Sequence, residues 1–316
     1  MTTLVCGGTG FVGSAVVREL LRTAGPGDVR VLSRRPLPPW MAAAGVEGVA
    51  GDLEDPRTLR GCCAGVGVLL HLSSYVGRDP ERCTAVNATG TAALLDEAER
   101  AGVRRIGYVS TASVYGHGPH RGAGEAELTP APASAASTSR LLAEGAVHDR
   151  GGVVFRPHLV FGPGDRWFVP ALVRLLTAVP FWPDGGRARS SLIAVQDLAR
   201  IMAAFALTDR PPTPGSVWHA AHPAPVPLRD LVEAVWGVLG MAEPRGDVTY
   251  ADHRALAAGA LPELTAHQHA LLTGDHWYDS DGVWRALELD PGPGFAARMA
   301  GSLPWYGEHV AVRVSA

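Results

Sequence analysis

The sequence predicts an α/β fold, a doubly wound parallel sheet with helices on both faces and a smaller, mostly helical domain beside it. Three observations carry this reading. Apolar strand-like runs alternate with segments of helical periodicity through the first half of the chain. A glycine string stands between the first strand and the first helix. After Gly162-Pro163-Gly164 the alternation loosens and Pro and Trp become frequent.

The elements follow in order. Thr2–Cys6 is a short apolar run that ends in glycines. From Gly10 to Thr23 the apolar residues Phe11, Val12, Val16, Val17, Leu20 and Leu21 recur at helical spacing. Val29–Ser33, Val46–Leu53 and Val66–Ser73 read as the second, third and fourth strands. Thr84–Ala101 reads as a helix and Arg105–Thr111 as the fifth strand. The Ala-rich stretch Ser134–His148 is a helix, and Val153–Phe161 is a sixth strand. Right-handed crossovers place every carboxyl end on one edge of the sheet, where ligands bind. Residues 1–165 thus form a dinucleotide-binding domain, with a returning segment near 190–212 that contains a helix at Val195–Leu207. Residues 166–189 and 213–316 form the substrate-binding domain.

Composition narrows the function. With 316 residues, 47% apolar and 19% charged, the chain is an ordinary globular protein. A net charge of -3 argues against a nucleic-acid partner. No apolar run reaches the roughly 18–20 residues of a membrane span. The N-terminus enters a strand without a leader pattern, so the expected location is the cytoplasm. Cys6, Cys62, Cys63 and Cys83 lack metal-ligand spacing, and no metal is expected. All 28 basic residues are arginine, so no lysine can act as a base or tune a neighbouring group.

Gly7-Gly8-Thr9-Gly10-Phe11-Val12-Gly13 carries glycines at 7, 10 and 13 in a strand–turn–helix context. Residues without Cβ let the backbone approach a pyrophosphate, and the helix N-terminus presents N–H groups to it. This is the Rossmann fingerprint. Cofactor choice is read at the end of the second strand. There the carboxylate that would mark NAD is Ser33, followed by Arg34 and Arg35. Guanidinium groups pair with phosphate oxygens, which favours NADP(H), with NAD(H) as the alternative. Asp52 and Leu53 border the adenine.

With these motifs, the sequence resembles the extended short-chain dehydrogenase/reductases along nearly its whole length. The match includes Gly51-Asp52-Leu53, His71-Leu72-Ser73-Ser74, Asn87-Ala88-Thr89-Gly90-Thr91, Tyr108 to Gly116, Arg156 to Gly164 and Val195-Gln196-Asp197-Leu198-Ala199. The resemblance implies that Thr111 is the catalytic hydroxyl, and that Leu72, Ser73, Ser74, Pro157, His158 and Val160 lie along the dinucleotide. It also implies a homodimer through a helix pair. The family's Tyr-x-x-x-Lys register reads Ala136-Ser137-Thr138-Ser139-Arg140 here. Ala136 has no proton to give, and Arg140 stays charged, so it can bind a ribose but cannot relay a proton. Tyr75, Ser113, Tyr115, His158 and Trp167 are the residues expected beside a substrate. His71, inside an apolar strand, is expected to be a satisfied core histidine.

The missing pair resembles the lysine- and tyrosine-deficient ketoreductases of aromatic polyketide pathways. That resemblance implies reduction of a polycyclic aromatic ketone whose own hydroxyl stabilises the alkoxide. Trp167, Phe168, Phe181, Trp182, Trp277 and Trp284 fit a flat apolar ligand. Two other readings remain: an NADP(H)-binding sensor without catalysis, and a nucleotide-sugar epimerase or dehydratase.

Overall fold

The computed structural model describes residues 1–310. Seven parallel strands form the central sheet: β1 (Thr3–Cys6), β2 (Val29–Ser33), β3 (Glu47–Ala50), β4 (Val68–His71), β5 (Arg105–Val109), β6 (Val153–Arg156) and β7 (Val217–His219). Their spatial order is β7-β6-β5-β4-β1-β2-β3. The order reverses at β1, beside β4, and that switch point is where an open α/β sheet binds its ligand.

Helices of eight or more residues are α1 (Phe11–Thr23), α2 (Gly90–Arg100), α3 (Ala135–His148), α4 (Phe168–Ala178), α5 (Val195–Leu207), α6 (Leu228–Leu239), α7 (Tyr250–Ala260), α8 (Ala266–Thr273) and α9 (Phe295–His309). Side chains alternate across each strand and so build two cores. Val5, Val31, Val68 and Leu70 pack against Val16, Val17 and Leu20 of α1 and Ile201, Met202 and Phe205 of α5. Leu4, Leu69 and Tyr108 pack on the opposite face against Leu94 and Leu95 of α2 and Ala143 and Val147 of α3. A third core joins α4, α6 and α9 through Leu172, Leu176, Val232, Val235, Met299 and Tyr306. No described helix is long and apolar enough to cross a membrane.

The structure corrects the sequence reading at three places. The sixth strand is broken at Pro157-His158, and its second piece, Leu159–Phe161, pairs with Leu192–Ala194 outside the central sheet. Pro157 has no N–H for a ladder, and its carbonyl accepts from Ala112 N at 2.8 Å. Val217–His219, expected in the substrate domain, is the seventh central strand, in register with Val154–Arg156. The third, fourth and fifth strands are shorter than expected, and their last residues leave the sheet to form the ligand edge. The returning helix is Val195–Leu207, as expected.

A buried polar seam runs along the β6–β7 side of the central sheet. Arg156, 7% exposed, donates to Glu144 of α3 (Nε–Oε1 3.1 Å) and to Tyr115 Oη at 2.8 Å. Tyr115 Oη meets His219 Nε2 at 2.7 Å, which ties β7 to the loop after β5. Removing one partner of a buried ion pair leaves an uncompensated charge and costs about 3–5 kcal/mol. Glu144→Leu is expected to lower stability by that amount in urea unfolding; a loss under about 1 kcal/mol contradicts a structural role for the pair.

Candidate active site

One cleft of about 950 Å³ runs along the carboxyl edge of the sheet, from Arg34 at one end to Thr111 and Trp167 at the other. Its floor is the glycine loop. Gly7 has φ +86°, and a Cβ there would stand 2.8 Å from Ser73 N. A Cβ on Gly13 would stand 2.0 Å from Gly7 O, so α1 starts in direct contact with the turn. Helix α1 has no side-chain cap at Gly10. Its first N–H groups are therefore left for an anion in the cleft. A loop closed to side chains, below an uncapped helix start, fits a dinucleotide pyrophosphate.

At one end lie Ser33, Arg34, Arg35, Asp52, Leu53 and Glu54. Ser33 Oγ accepts from Arg35 N at 3.3 Å and donates to Arg35 O at 2.8 Å, which shapes the turn. Arg34 is 56% exposed, and its Nη1 is 3.2 Å from Glu54 Oε2.

Toward the other end lie Leu72, Ser73, Ser74, Thr111, Arg140, Pro157, His158, Val160 and Trp167, while the Tyr75 ring packs on the Arg82 guanidinium that binds Glu54. Thr111 caps the turn at Ala112–Tyr115, where its Oγ1 accepts from Ser113 N at 3.1 Å. The hydroxyl proton makes no hydrogen bond within the described residues and is available to a ligand oxygen. Arg140 donates through Nη2 to Val109 O at 3.0 Å and to Ser110 O. Tyr75 is held through its backbone by Asn87, at 2.7 and 2.8 Å. Trp167 is 66% exposed at the mouth. Its loop is fixed by Asp165, whose carboxylate accepts from the N–H groups of Trp167, Phe168 and Val169 and from Tyr306 Oη at 2.9 Å.

Two expected substrate residues stand elsewhere. Tyr115 is 3% exposed with its hydroxyl spent on Arg156 and His219, so it belongs to the seam. Ser113 points to His267 of α8, with Oγ 3.1 Å from Nε2, and does not line the cleft. Of the aromatic residues after 166, Trp167 and Phe168 reach the cleft, while Trp182 and Trp284 are buried in the cores. The structure adds Leu264, Gln268, Leu271 and Leu272 around α8, and Glu54 and Arg82. No spacing in the sequence marks these residues, because a short helix from the far end of the chain and the turn before it bring four of them.

Residues 3–219 match the NAD dependent epimerase/dehydratase family. The chain belongs to this family. It is similar to the 2-alkyl-3-oxoalkanoate reductase of Stenotrophomonas maltophilia (strain K279a), 27% identical over 92% of this chain and 95% of the relative. It is also similar to the 4-hydroxy-2-methyl-3-oxo-4-farnesyl-3,4-dihydroquinoline-1-oxide ketoreductase of Stigmatella aurantiaca, 30% identical over 81% of this chain and 79% of the relative. The fold is shared with DesIV, the dTDP-glucose 4,6-dehydratase of Streptomyces venezuelae solved with NAD bound. There the TM-score is 0.76 and the identity 22% over 98% of each chain.

Ser74, Ser110 and Arg140 of the cleft lining, with Tyr108 and His71 behind it, carry buried polar atoms. Ser74 Oγ, Tyr108 Oη, Ser110 Oγ, Arg140 Nε and His71 Nδ1 are buried without hydrogen-bond partners. His71 Nε2 meets Thr91 Oγ1 at 2.8 Å, so this core histidine is half satisfied. Burial, helped by the Arg140 charge, pushes His71 down to about 3. Beyond the cleft, burial pushes His269 and His276 down to about 4, helped by neighbouring histidines.

These depressed values set an acid limit. Folded, the three imidazoles stay neutral well below pH 6.5, where an unfolded histidine takes up a proton. The unfolded state then binds more protons, so stability is full above about pH 6.5 and is lost as pH falls toward 4 and 3. The urea midpoint is expected to fall steeply between pH 6.5 and pH 4. A midpoint unchanged across that interval contradicts buried neutral histidines.

Proposed function

We propose that the protein is an NADPH-dependent ketoreductase acting on a flat, polycyclic aromatic ketone. The observation that carries this reading is a continuous cleft that joins an arginine-bearing end, the glycine cradle and the free hydroxyl of Thr111. The two reductase relatives support carbonyl reduction as the reaction class. The absent phenol resembles one particular enzyme, the angucyclinone ketoreductase of simocyclinone biosynthesis.

The chain's own residues divide the work. The α1 amides and the glycine loop hold the pyrophosphate, and Arg34 the adenosine 2′-phosphate. Arg140, anchored on the β5 carbonyls, presents the rest of its guanidinium toward the nicotinamide ribose. Pro157, His158 and Val160 wall the nicotinamide end. Bound in this cleft, NADPH supplies the hydride. Thr111 donates a hydrogen bond from its free hydroxyl to the ketone oxygen and so polarises the carbonyl. Leu264, Leu271, Leu272, Phe168 and Trp167 exclude water and offer an apolar wall to aromatic rings.

No phenol stands at Ala136 to protonate the product. General acid catalysis is worth roughly 10²–10⁴-fold. A substrate hydroxyl hydrogen-bonded to its own carbonyl offsets that loss. An epimerase or dehydratase needs a tyrosinate base to begin by oxidation, so its chemistry does not suit this site.

Two experiments test the reading. Purified protein with NADPH and a panel of polycyclic aromatic ketones is expected to consume NADPH and yield products heavier by two hydrogens. Tight NADPH binding without turnover on any ketone points instead to a sensor. Arg34→Ala is expected to weaken NADPH about 10-fold or more, from the loss of a charge-assisted phosphate contact, while NADH changes little. Equal weakening in calorimetry contradicts the 2′-phosphate assignment.

A further inference from the structure

We propose that Glu54 is a specificity residue: it occupies the anion position between Arg34 and Arg82 and limits the preference of the cleft for NADPH over NADH. The inference rests on the reading of this end of the cleft as the 2′-phosphate site.

Two guanidinium groups converge on one carboxylate. Arg82 Nε and Nη2 lie 2.7 and 3.2 Å from Glu54 Oε1 and Oε2, and Arg34 Nη1 lies 3.2 Å from Oε2. Asp52 Oδ2 stands 3.9 Å from the same Arg34 nitrogen. Glu54 N donates to Asp52 Oδ1 at 3.0 Å, which fixes the turn bearing both acids. All four side chains line the cleft beside Ser33 and Arg35. This arrangement of donors also suits a phosphate. The Arg82 hydrogen bond, with the charges of Arg82 and Arg34, holds the Glu54 carboxyl below the usual carboxylate range. It is therefore ionised at neutral pH.

The two arginines are not equally committed. Arg82 lies over the Tyr75 ring, 4.7 Å from its centroid, and grips Glu54 with two nitrogens. Arg34 touches Glu54 with one nitrogen and is 56% exposed. An exposed pair of this kind is weak and exchangeable. A 2′-phosphate therefore takes Arg34 away from Glu54 and leaves Glu54 on Arg82. The phosphate then sits beside a carboxylate of its own sign. NADH, with a neutral 2′-hydroxyl, meets no such repulsion. The opposite role is a carboxylate that accepts from the NADH ribose, and the two roles predict opposite results.

The test is calorimetry of wild type and Glu54→Gln with NADPH and NADH, after matched thermal unfolding curves establish folding. The carboxamide keeps the shape and removes the charge. Glu54→Gln is expected to tighten NADPH about 10-fold, from two like charges a few ångströms apart in a solvated site, and to leave NADH within about 2-fold, since its neutral 2′-hydroxyl carries no charge for Glu54 to repel. Adenosine 2′,5′-bisphosphate against adenosine 5′-monophosphate should repeat the pattern without a nicotinamide. Unchanged NADPH affinity, or weakened NADH, overturns the inference. A wild type that prefers NADPH while Glu54→Gln changes nothing sinks the inference alone. A wild type that binds NADH as tightly as NADPH, with Arg34→Ala without effect, sinks the 2′-phosphate reading and this inference with it.

Discussion

Helix α1 begins where no side chain can stand. Gly13 rests on the carbonyl of Gly7 at a distance that excludes a Cβ, and Gly7 itself lies against the backbone after β4. This close approach fixes the helix axis at the switch point of the sheet. It aims unpaired N–H groups into the cleft and sets the level at which every other strand end presents its residues. Ser33 and Arg34 at the end of β2, Asp52 after β3, Ser73 after β4 and Thr111 after β5 all meet the same cleft because the strands of the sheet are parallel and in register.

Buried polar clips fix the elements around that edge. Arg156 joins β6 to α3 and, through Tyr115 and His219, to β7. Tyr306 of α9 donates to Asp165 and accepts from Gly162 N at 2.8 Å, so the loop carrying Trp167 is fixed from the far end of the chain. Water cannot replace these partners in a buried seam, and each group therefore constrains its neighbour. The aromatic lip at Trp167 is exposed yet rigidly mounted, a combination that favours contact with a ligand over service in a core.

Much of this was legible in the sequence where one local rule decides the outcome. The glycine string, β2 and α5 follow from turn chemistry and periodicity, and they stand where expected. The Ala-rich helix stands at Ala135–His148, one residue shorter than expected because Ser134 is its cap. The remainder depends on contacts between distant segments. Pro157 breaks the sixth strand because its missing N–H cannot serve the ladder. Val217–His219 is only three residues long and lies among turn residues, so nothing local marks it as a central strand. Tyr115 reads as a wall of the site until His219 and Arg156 are seen to consume its hydroxyl. Ala136 and Arg140 were visible as departures, but the Arg140 anchor on β5 carbonyls required the fold.

The central claim is hydride delivery to a carbonyl carbon without an enzyme phenol. The most direct measurement is turnover of a polycyclic aromatic ketone with NADPH carrying deuterium at both C4 positions. Mass spectrometry of the alcohol then reports the origin of the new C–H bond. The account predicts one deuterium at the carbinol carbon for each NADPH consumed. An alcohol formed without deuterium, or NADPH consumed without alcohol, contradicts it.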